Sequence, residues 1–186
     1  MLVPIPQMGI EDDLWWSATV QLPFWADFQD RSGAYGSMNS GTKSKGLAKL
    51  VYAPEGRGIE PLESWELSNI KWALDNHQDV ANALLNALLS AYPKIQSQYD
   101  LSGTERTMSM PDARSIDGFK NLIGIHSVYI HPIQDSGAPY IGFEFGCTWD
   151  EEHGLGVLMH GTRVVQIGGA DAAFLLWIAE RDARRP

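Results

Sequence analysis

Residues 140–167 read YIGFEFGCTWDEEHGLGVLMHGTRVVQI, and this stretch contains three strand-like segments separated by two turns. Apolar side chains alternate with small or polar ones over residues 140–149, which is the period of a strand with one buried face. The alternation places five side chains on the core face: Ile141, Phe143, Phe145, Cys147 and Trp149. Two more strands are expected at 155–159 and 163–167, joined as a tight hairpin. The C-terminal third is therefore predicted to be antiparallel sheet.

The N-terminal half has the pattern of a strand pair around a long loop. Residues 15–28 alternate in the manner of a half-buried strand, and strand character returns at 47–53. Between them, residues 31–46 are rich in glycine and serine and predict a flexible loop. Residues 1–14 are expected to be an N-terminal extension.

Helix-like apolar spacing takes over in the centre of the chain. Residues 61–76 and 79–99 predict a helical hairpin, with a kink or a stop near Ala91-Tyr92 and a further turn beyond it. A linker at 102–111 leads to a shorter helix at 112–123. The remaining expected elements are a strand at 125–131, a closing helix at 170–181 and a tail at 180–186.

Strands, then helices, then a block of strands predict an α+β fold. Its sheet is expected to be mainly antiparallel, with about six strands packed against the helical hairpin and the shorter helix. A length of 186 residues suits one domain, which we expect to span residues 1–186.

The charge of the chain narrows the classes of partner. The formal net charge is −9, so we expect neither nucleic acid nor an anionic membrane as the main partner, because phosphate binding needs a cationic face. Cys147 is the single cysteine, which excludes an intrachain disulfide. The N-terminal residues do not show the pattern of a secretory signal peptide, and no apolar run approaches the ~18 residues of a membrane span. We therefore expect a cytoplasmic protein.

Residues 149–154, Trp-Asp-Glu-Glu-His-Gly, form the most distinctive motif. One interpretation is a structural turn in which Asp150 and Glu152 accept backbone amides and His153 is packed or paired. The other is an acidic surface that receives a basic partner, with Asp150, Glu151, Glu152 and His153 as protein-binding residues.

A second acidic stretch, Glu11-Asp12-Asp13, also lies next to tryptophan. Strand alternation cannot bury both Trp15 and Trp16 on one face, so at least one of them is expected to be exposed or half-exposed. Exposed aromatic rings beside carboxylates are typical of protein-binding hot spots. Trp16 is included among the predicted protein-binding residues on this ground.

Three segments of the chain carry a family resemblance. The pattern Trp-Asp-x-Glu-His-Gly-Leu-Gly-Val at 149–157, preceded by GFEFGC at 142–147 and followed by VVQIG at 164–168, resembles a bacterial family of unknown function. The helix ending LLSAYP at 88–93 is also similar, and the resemblance covers roughly residues 15–170. It implies a small cytoplasmic domain without known enzymatic activity, similar to the immunity proteins found beside bacterial toxins.

The favoured function is therefore a non-enzymatic domain that binds a basic protein, such as a toxin, in the manner of an immunity protein or antitoxin. No cofactor, metal or catalytic residue is predicted, because the sequence lacks a nucleophile elbow, a phosphate loop and zinc-protease spacing. Apolar neighbours also make Cys147 a poor nucleophile. The alternative is a metal-assisted hydrolase or small-ligand enzyme, with a site formed by Glu144, Asp150, His153 and His160.

Overall fold

The computed structural model describes residues 5–31, 33, 37–38, 41–134 and 137–185. The described residues form seven strands: β1 (Gly9–Glu11), β2 (Trp15–Gln29), β3 (Lys43–Tyr52), β4 (Ile123–Ile130), β5 (Tyr140–Cys147), β6 (Leu155–His160) and β7 (Arg163–Gly168). The helices in the same residues are α1 (Ser64–Asp75), α2 (His77–Gln96), α3 (Gly103–Ser109), α4 (Asp171–Phe174), α5 (Leu176–Ala183) and a 3₁₀-helix at Ile116–Asn121. The predicted α+β class is confirmed.

All seven strands belong to one mixed sheet in which they follow the order of the sequence. Neighbouring strands are antiparallel except β3 and β4, which run parallel. Parallel neighbours need a long crossover connection, and α1, α2, α3 and the 3₁₀-helix lie within it. The mainly antiparallel character is confirmed. The sheet has one strand more than the expected six, and β1 lies within the predicted extension at 1–14.

One face of the sheet forms the main core. A row of apolar residues crosses six strands in register: Ala18, Leu50, Val128, Phe143, Val157 and Ile167. The predicted core face of β5 is confirmed, since all five side chains of the alternating set are buried. Buried residues of α1 and α2 pack against this face. The predicted hairpin of β6 and β7 is also confirmed, with His160 opposite Arg163.

The helical region differs from the predicted hairpin. α1 and α2 are separated by the single residue Asn76, which is shorter than the roughly 2–5 residues of a helical hairpin loop. α2 continues through Pro93 to Gln96, so the predicted turn beyond the proline is confirmed and a stop before it is wrong. α3 occupies the predicted linker, and none of its residues is buried, so no apolar period marks it in the sequence. The helix expected at 112–123 is only the 3₁₀-helix at Ile116–Asn121, and β4 begins at Ile123.

The predicted flexible loop at 31–46 is shorter than expected. β3 begins at Lys43 and pairs with β2, so residues 43–46 are strand. Residues 32, 34–36 and 39–40 of this prediction lie outside the described residues.

The predicted closing helix and tail also differ. The helix is divided at Leu175 into α4 and α5, and residues 180–183 of the predicted tail belong to α5. Asp182 is buried there and accepts hydrogen bonds from Arg163 and from the hydroxyl of Tyr140. These bonds hold α5 on the sheet. Within the described part of the chain, no helix is both long and apolar enough to cross a bilayer.

Candidate functional site

The second face of the sheet is only partly covered. A row of polar and small residues crosses it in register: Thr19, Lys49, Ser127, Glu144, Gly156 and Gly168. α4 covers one part, and a Cβ atom on Gly142 would lie only 1.7 Å from the carbonyl oxygen of Ala173. The backbone of α4 therefore lies directly on β5, which only glycine permits. We call the part around Lys49, Ser127 and Glu144 the open face.

Within the described part of the chain, Lys49 lines three cavities of the open face. The basic cleft, of about 550 Å³, is lined by Arg31, Lys43, Lys45, Leu47, Lys49 and others. The acidic cleft, of about 270 Å³, is lined by Lys49, Tyr129, Glu144, Glu151, Glu152 and His153 among others. The third cavity, of about 300 Å³, lies beside Trp15, Val51, Glu55 and Phe174. Opposite charges thus lie on the two sides of Lys49.

Residues 150–154, which we call the acidic loop, are held in shape by Asp150. Its Oδ1 accepts hydrogen bonds from the backbone amide and from Nδ1 of His153, both at 3.0 Å, and its Oδ2 accepts one from the hydroxyl of Tyr99 at 3.1 Å. Burial alone raises the pKa of Asp150, but these hydrogen bonds outweigh it and leave the pKa below its ordinary value. Gly154 closes the loop with a φ of 62°, in the left-handed region. Asp150 thus has the structural role of the first interpretation.

The other three residues of the acidic loop face solvent. The side chains of Glu151 and His153 are 75% and 70% exposed, and Glu152 is exposed as well. The hydrogen bond to Asp150 raises the pKa of His153 above its ordinary value. Three of the predicted protein-binding residues are therefore accessible at the rim of the acidic cleft, whereas the Asp150 carboxylate is turned into the loop.

Trp16 and Trp15 lie on opposite faces of β2. Trp16 is opposite the buried Tyr52, packs partly against the main core, and donates its indole N–H to the carbonyl oxygen of Glu60 at 3.1 Å. Trp15 lines a cavity of the open face, where the Lys49 ammonium lies 5.7 Å from its ring centroid. The structure therefore does not bring Trp16 together with the acidic loop, and Trp15 is the tryptophan of the open face.

The first acidic stretch reaches the open face through Glu11 alone. Its carboxylate accepts hydrogen bonds from Lys49 Nζ at 2.6 Å and from the hydroxyl of Ser17 at 2.7 Å. The bond from Lys49 is the main reason why the pKa of Glu11 is lowered. Asp12 and Asp13 are exposed in the turn after β1.

The residues of the alternative enzyme site are only partly brought together. Glu144 and His153 share the acidic cleft, where Glu144 accepts a 2.6 Å hydrogen bond from the Tyr129 hydroxyl. His160 instead stacks on Tyr140, with ring centroids 4.3 Å apart. Among the described residues, no group of three His, Cys, Asp or Glu side chains is arranged to hold a metal ion.

The single thiol takes no part in either cleft. Cys147 is fully buried, and burial raises the pKa of its thiol to about 12. A thiol of that pKa is almost entirely protonated at neutral pH, which agrees with its predicted place in the core.

Comparison with protein families supplies the remaining observation. A family model described as a domain of unknown function (DUF6985) matches residues 44–175, well over half of the chain. The chain belongs to the DUF6985 family. Comparison with curated proteins finds no match, and comparison with solved structures finds none either. Membership of a family without known function, which the resemblance implied, is thereby confirmed.

Most of the open face lies inside the DUF6985 match. Lys45, Lys49, Glu144 and the acidic loop fall within residues 44–175. Arg31 precedes the matched range, as does the whole of β2. The open face therefore combines the DUF6985 segment with the N-terminal strands of this chain.

Sequence reasoning missed the cationic side of the open face. Lys43, Lys45 and Lys49 share one parity on β3, and this alternation is a signal that the sequence contains. Reading residues 31–46 as a loop hides it, because parity has meaning only within a strand. No sequence pattern marks Arg31.

Proposed function

We propose that this member of the DUF6985 family is a non-enzymatic domain that binds a basic surface on another protein. Glu151, Glu152 and His153 make the contact, and Asp150 positions them. Trp15, on the open face, takes the aromatic role first expected of Trp16. The partner is a basic protein such as a bacterial toxin, and the chain acts as its immunity protein or antitoxin in the cytoplasm.

The observation that carries this proposal is the order of the acidic loop. Its two exposed carboxylates, Glu151 and Glu152, lie on a loop that Asp150 fixes through three hydrogen bonds. A loop that is ordered before binding loses less conformational entropy on association. Exposed charge of one sign also accelerates the encounter with a surface of the opposite sign.

The test is the combined variant Glu151→Lys and Glu152→Lys. The immobilised wild-type chain captures proteins from its native host, and the dissociation constant of a captured basic protein is measured with each variant. We expect the double variant to weaken binding by at least about tenfold, more at low salt than at high salt. Co-expression then asks whether the wild-type chain, but not this variant, relieves any toxicity of that partner.

The matched control is the double variant Glu105→Lys and Asp117→Lys, which reverses the charge of two exposed acids outside the acidic loop. It changes the net charge by the same amount as the test variant. We expect this control to bind the partner as the wild type does. If both double variants weaken binding equally, general charge rather than the acidic loop explains the affinity. That result would contradict the proposal, as would binding that neither pair of substitutions changes.

A second candidate, binding of a small ligand in the acidic cleft, is supported by the position of Glu144. Its carboxylate is within the cleft and is oriented by the Tyr129 hydroxyl. A small cationic ligand fits this carboxylate by charge. The substitution Glu144→Gln separates the candidates, because it removes charge from the cleft and leaves the exposed loop unchanged. If the Glu144→Gln variant no longer binds a small molecule but binds the protein partner as the wild type does, the acidic cleft is the site of that small molecule.

A further inference from the structure

Arg31 is the least accessible cation of the open face. It is 1% exposed, its Nε donates to Gln29 Oε1 at 2.9 Å, and its Nη1 lies 3.8 Å from Glu151 Oε1. Its Nη2 is buried and has no hydrogen-bond partner among the described residues. A buried cationic donor without an acceptor is costly, so an acceptor brought by a ligand is favoured at this position.

The fold holds the Arg31 side chain in one place. A Cβ atom on Gly124 would lie 2.5 Å from Arg31 Cγ and 2.2 Å from the Gln29 carbonyl oxygen. The glycine in β4 therefore makes room for the arginine stem. A fixed, planar guanidinium presents donors in a fork that matches the oxygens of an oxyanion.

The basic cleft around Arg31 carries an excess of positive charge. Among the described residues that line it, Lys43, Lys45, Lys49 and Arg31 are cationic, and Asp30 is the one acid. Two of the lysines already have acceptors, Lys43 on Asn121 Oδ1 and Lys49 on Glu11. Lys45 is exposed, and no acceptor for its ammonium group is found in the described ranges. Arg31 and Lys45 are thus the cations with capacity for a ligand.

The cleft also has a size and an apolar wall suited to a small organic molecule. Its volume of about 550 Å³ lies within the roughly 300–1,000 Å³ of small-ligand pockets. Leu47, which is 53% exposed, lines it beside Ile125. An exposed leucine in a cationic cleft is a contact surface for the organic part of a ligand.

We propose that the basic cleft binds a small organic phosphate, with the phosphate group on Arg31 and Lys45 and the organic part against Leu47. A phosphate carries about −1.5 to −2 charges near pH 7 and matches the excess of cations better than a carboxylate does. The net charge of −9 disfavours a nucleic acid or an anionic membrane as the ligand. Each presents many phosphates, and the acidic surface outside the cleft repels them. This site goes beyond the protein-binding function proposed above and does not depend on it.

The test measures binding of phenyl phosphate to the full chain by calorimetry at pH 7.5, with benzoate and inorganic phosphate as comparison ligands. Phenyl phosphate is expected to bind saturably. Benzoate is expected to bind more weakly because it has one charge, and inorganic phosphate more weakly because it has no contact with Leu47. Arg31→Gln is expected to weaken phenyl phosphate binding by at least about tenfold, and Lys45→Met by about threefold.

Lys94→Met is the matched control, since Lys94 is an exposed lysine on α2 outside the cleft. Lys45 is exposed on β3, so its variant decides the question if Arg31→Gln does not fold. Absence of saturable binding up to about 10 mM, or equal binding by the Lys45→Met and Lys94→Met variants, overturns the site. Equal affinity for benzoate and phenyl phosphate overturns the assignment to phosphate.

Discussion

Glu151 Oε1 lies 3.8 Å from Arg31 Nη1, so an exposed carboxylate of the acidic loop is paired with the buried guanidinium of the basic cleft. The distance is too long for a hydrogen bond and allows only a charge interaction. The two proposed sites are therefore adjacent and share one charge pair. A ligand on Arg31 and a protein partner on Glu151 each change the electrostatic environment of the other, and such coupling is reciprocal.

The first prediction concerns this pair. Glu151→Gln removes an anion that competes for Arg31, so the affinity for phenyl phosphate should rise about two- to fivefold, the effect of an ion pair with one exposed member. Calorimetry at two salt concentrations measures it, and the gain should be smaller at high salt. Glu152→Gln is the control, because no ion pair joins Glu152 to Arg31 in the described residues. A larger gain from Glu152→Gln than from Glu151→Gln would contradict the pairing.

The second prediction concerns the pH range of the acidic loop. The pKa of His153 is raised, so the stabilisation of the acidic loop by protonated His153 is complete below the ordinary histidine value of 6.5. This stabilisation is lost as pH rises through the raised pKa. The pKa of Asp150 is lowered, so the stabilisation of the acidic loop by ionised Asp150 is present above pH 3.8. This stabilisation is lost as pH falls through the lowered pKa. The loop should therefore be best ordered between about pH 4 and 6.5.

An NMR titration of the His153 ring checks the cause of its shift. Asp150→Asn keeps an acceptor for the backbone amide but removes the charge, so the pKa of His153 should fall toward its ordinary value. Glu152→Gln should lower it less, because Glu152 contributes only a weaker charge interaction. An unchanged His153 pKa in the Asp150→Asn variant would show that the pair does not form in solution.

Local patterns of the sequence predict much of the fold. The alternation from Ile141 to Trp149 and the tight hairpin of β6 and β7 involve neighbours in sequence, and both are confirmed. The parallel pairing of β3 with β4 joins residues about 80 positions apart, and no local pattern reports such a pairing. α3 is missed for a different reason, since a helix without buried residues has no apolar period.

The candidate site is less predictable from sequence than the fold. Trp16 shares its parity with Ala18 and Val20, so the alternation already places it on the core face and Trp15 on the other. The acidic loop is visible as a motif, but the inward position of Asp150 depends on Tyr99, which is 51 residues away. The burial of Arg31 depends on the space above Gly124 in β4. Site geometry of this kind arises from tertiary contacts.

The third prediction concerns Glu66, whose carboxylate joins α1 to the loop after β3. Glu66 is 2% exposed and accepts hydrogen bonds from the Tyr52 hydroxyl at 2.8 Å and from Arg57 Nε and Nη2 at 2.6 and 2.8 Å. Burial raises its pKa, but the bonds from Arg57, the Glu63 amide and Tyr52 outweigh burial and leave the pKa below 4.5. Glu66→Gln should lower the free energy of unfolding by about 3 kcal/mol, because the partly buried Arg57 loses its counter-charge.

Urea unfolding at several pH values measures this difference. A lowered pKa means that the stabilisation by Glu66 is present above pH 4.5 and is lost as pH falls, so the gap between wild type and variant should narrow on acidification. Glu60→Gln, an exposed acid of the same loop, should change the free energy of unfolding by less than about 0.5 kcal/mol. A gap that stays constant from pH 7 to pH 3 would exclude the ionised carboxylate as its source.

The fourth prediction concerns the close contact of α4 with the sheet. A Cβ atom on Gly142 would meet the Ala173 carbonyl oxygen at 1.7 Å, whereas a Cβ atom on Gly9 has no neighbour within 4 Å. Gly142→Ala should therefore displace α4 and lower the free energy of unfolding by about 1–3 kcal/mol, the usual cost of overpacking. Gly9→Ala, also in a strand, should leave it unchanged within about 0.5 kcal/mol. Hydrogen exchange locates the effect, because displacement of the helix should raise the exchange rates of the α4 amides selectively. A uniform increase of exchange rates over the whole sheet would mean that the contact with Ala173 does not cause the loss of stability.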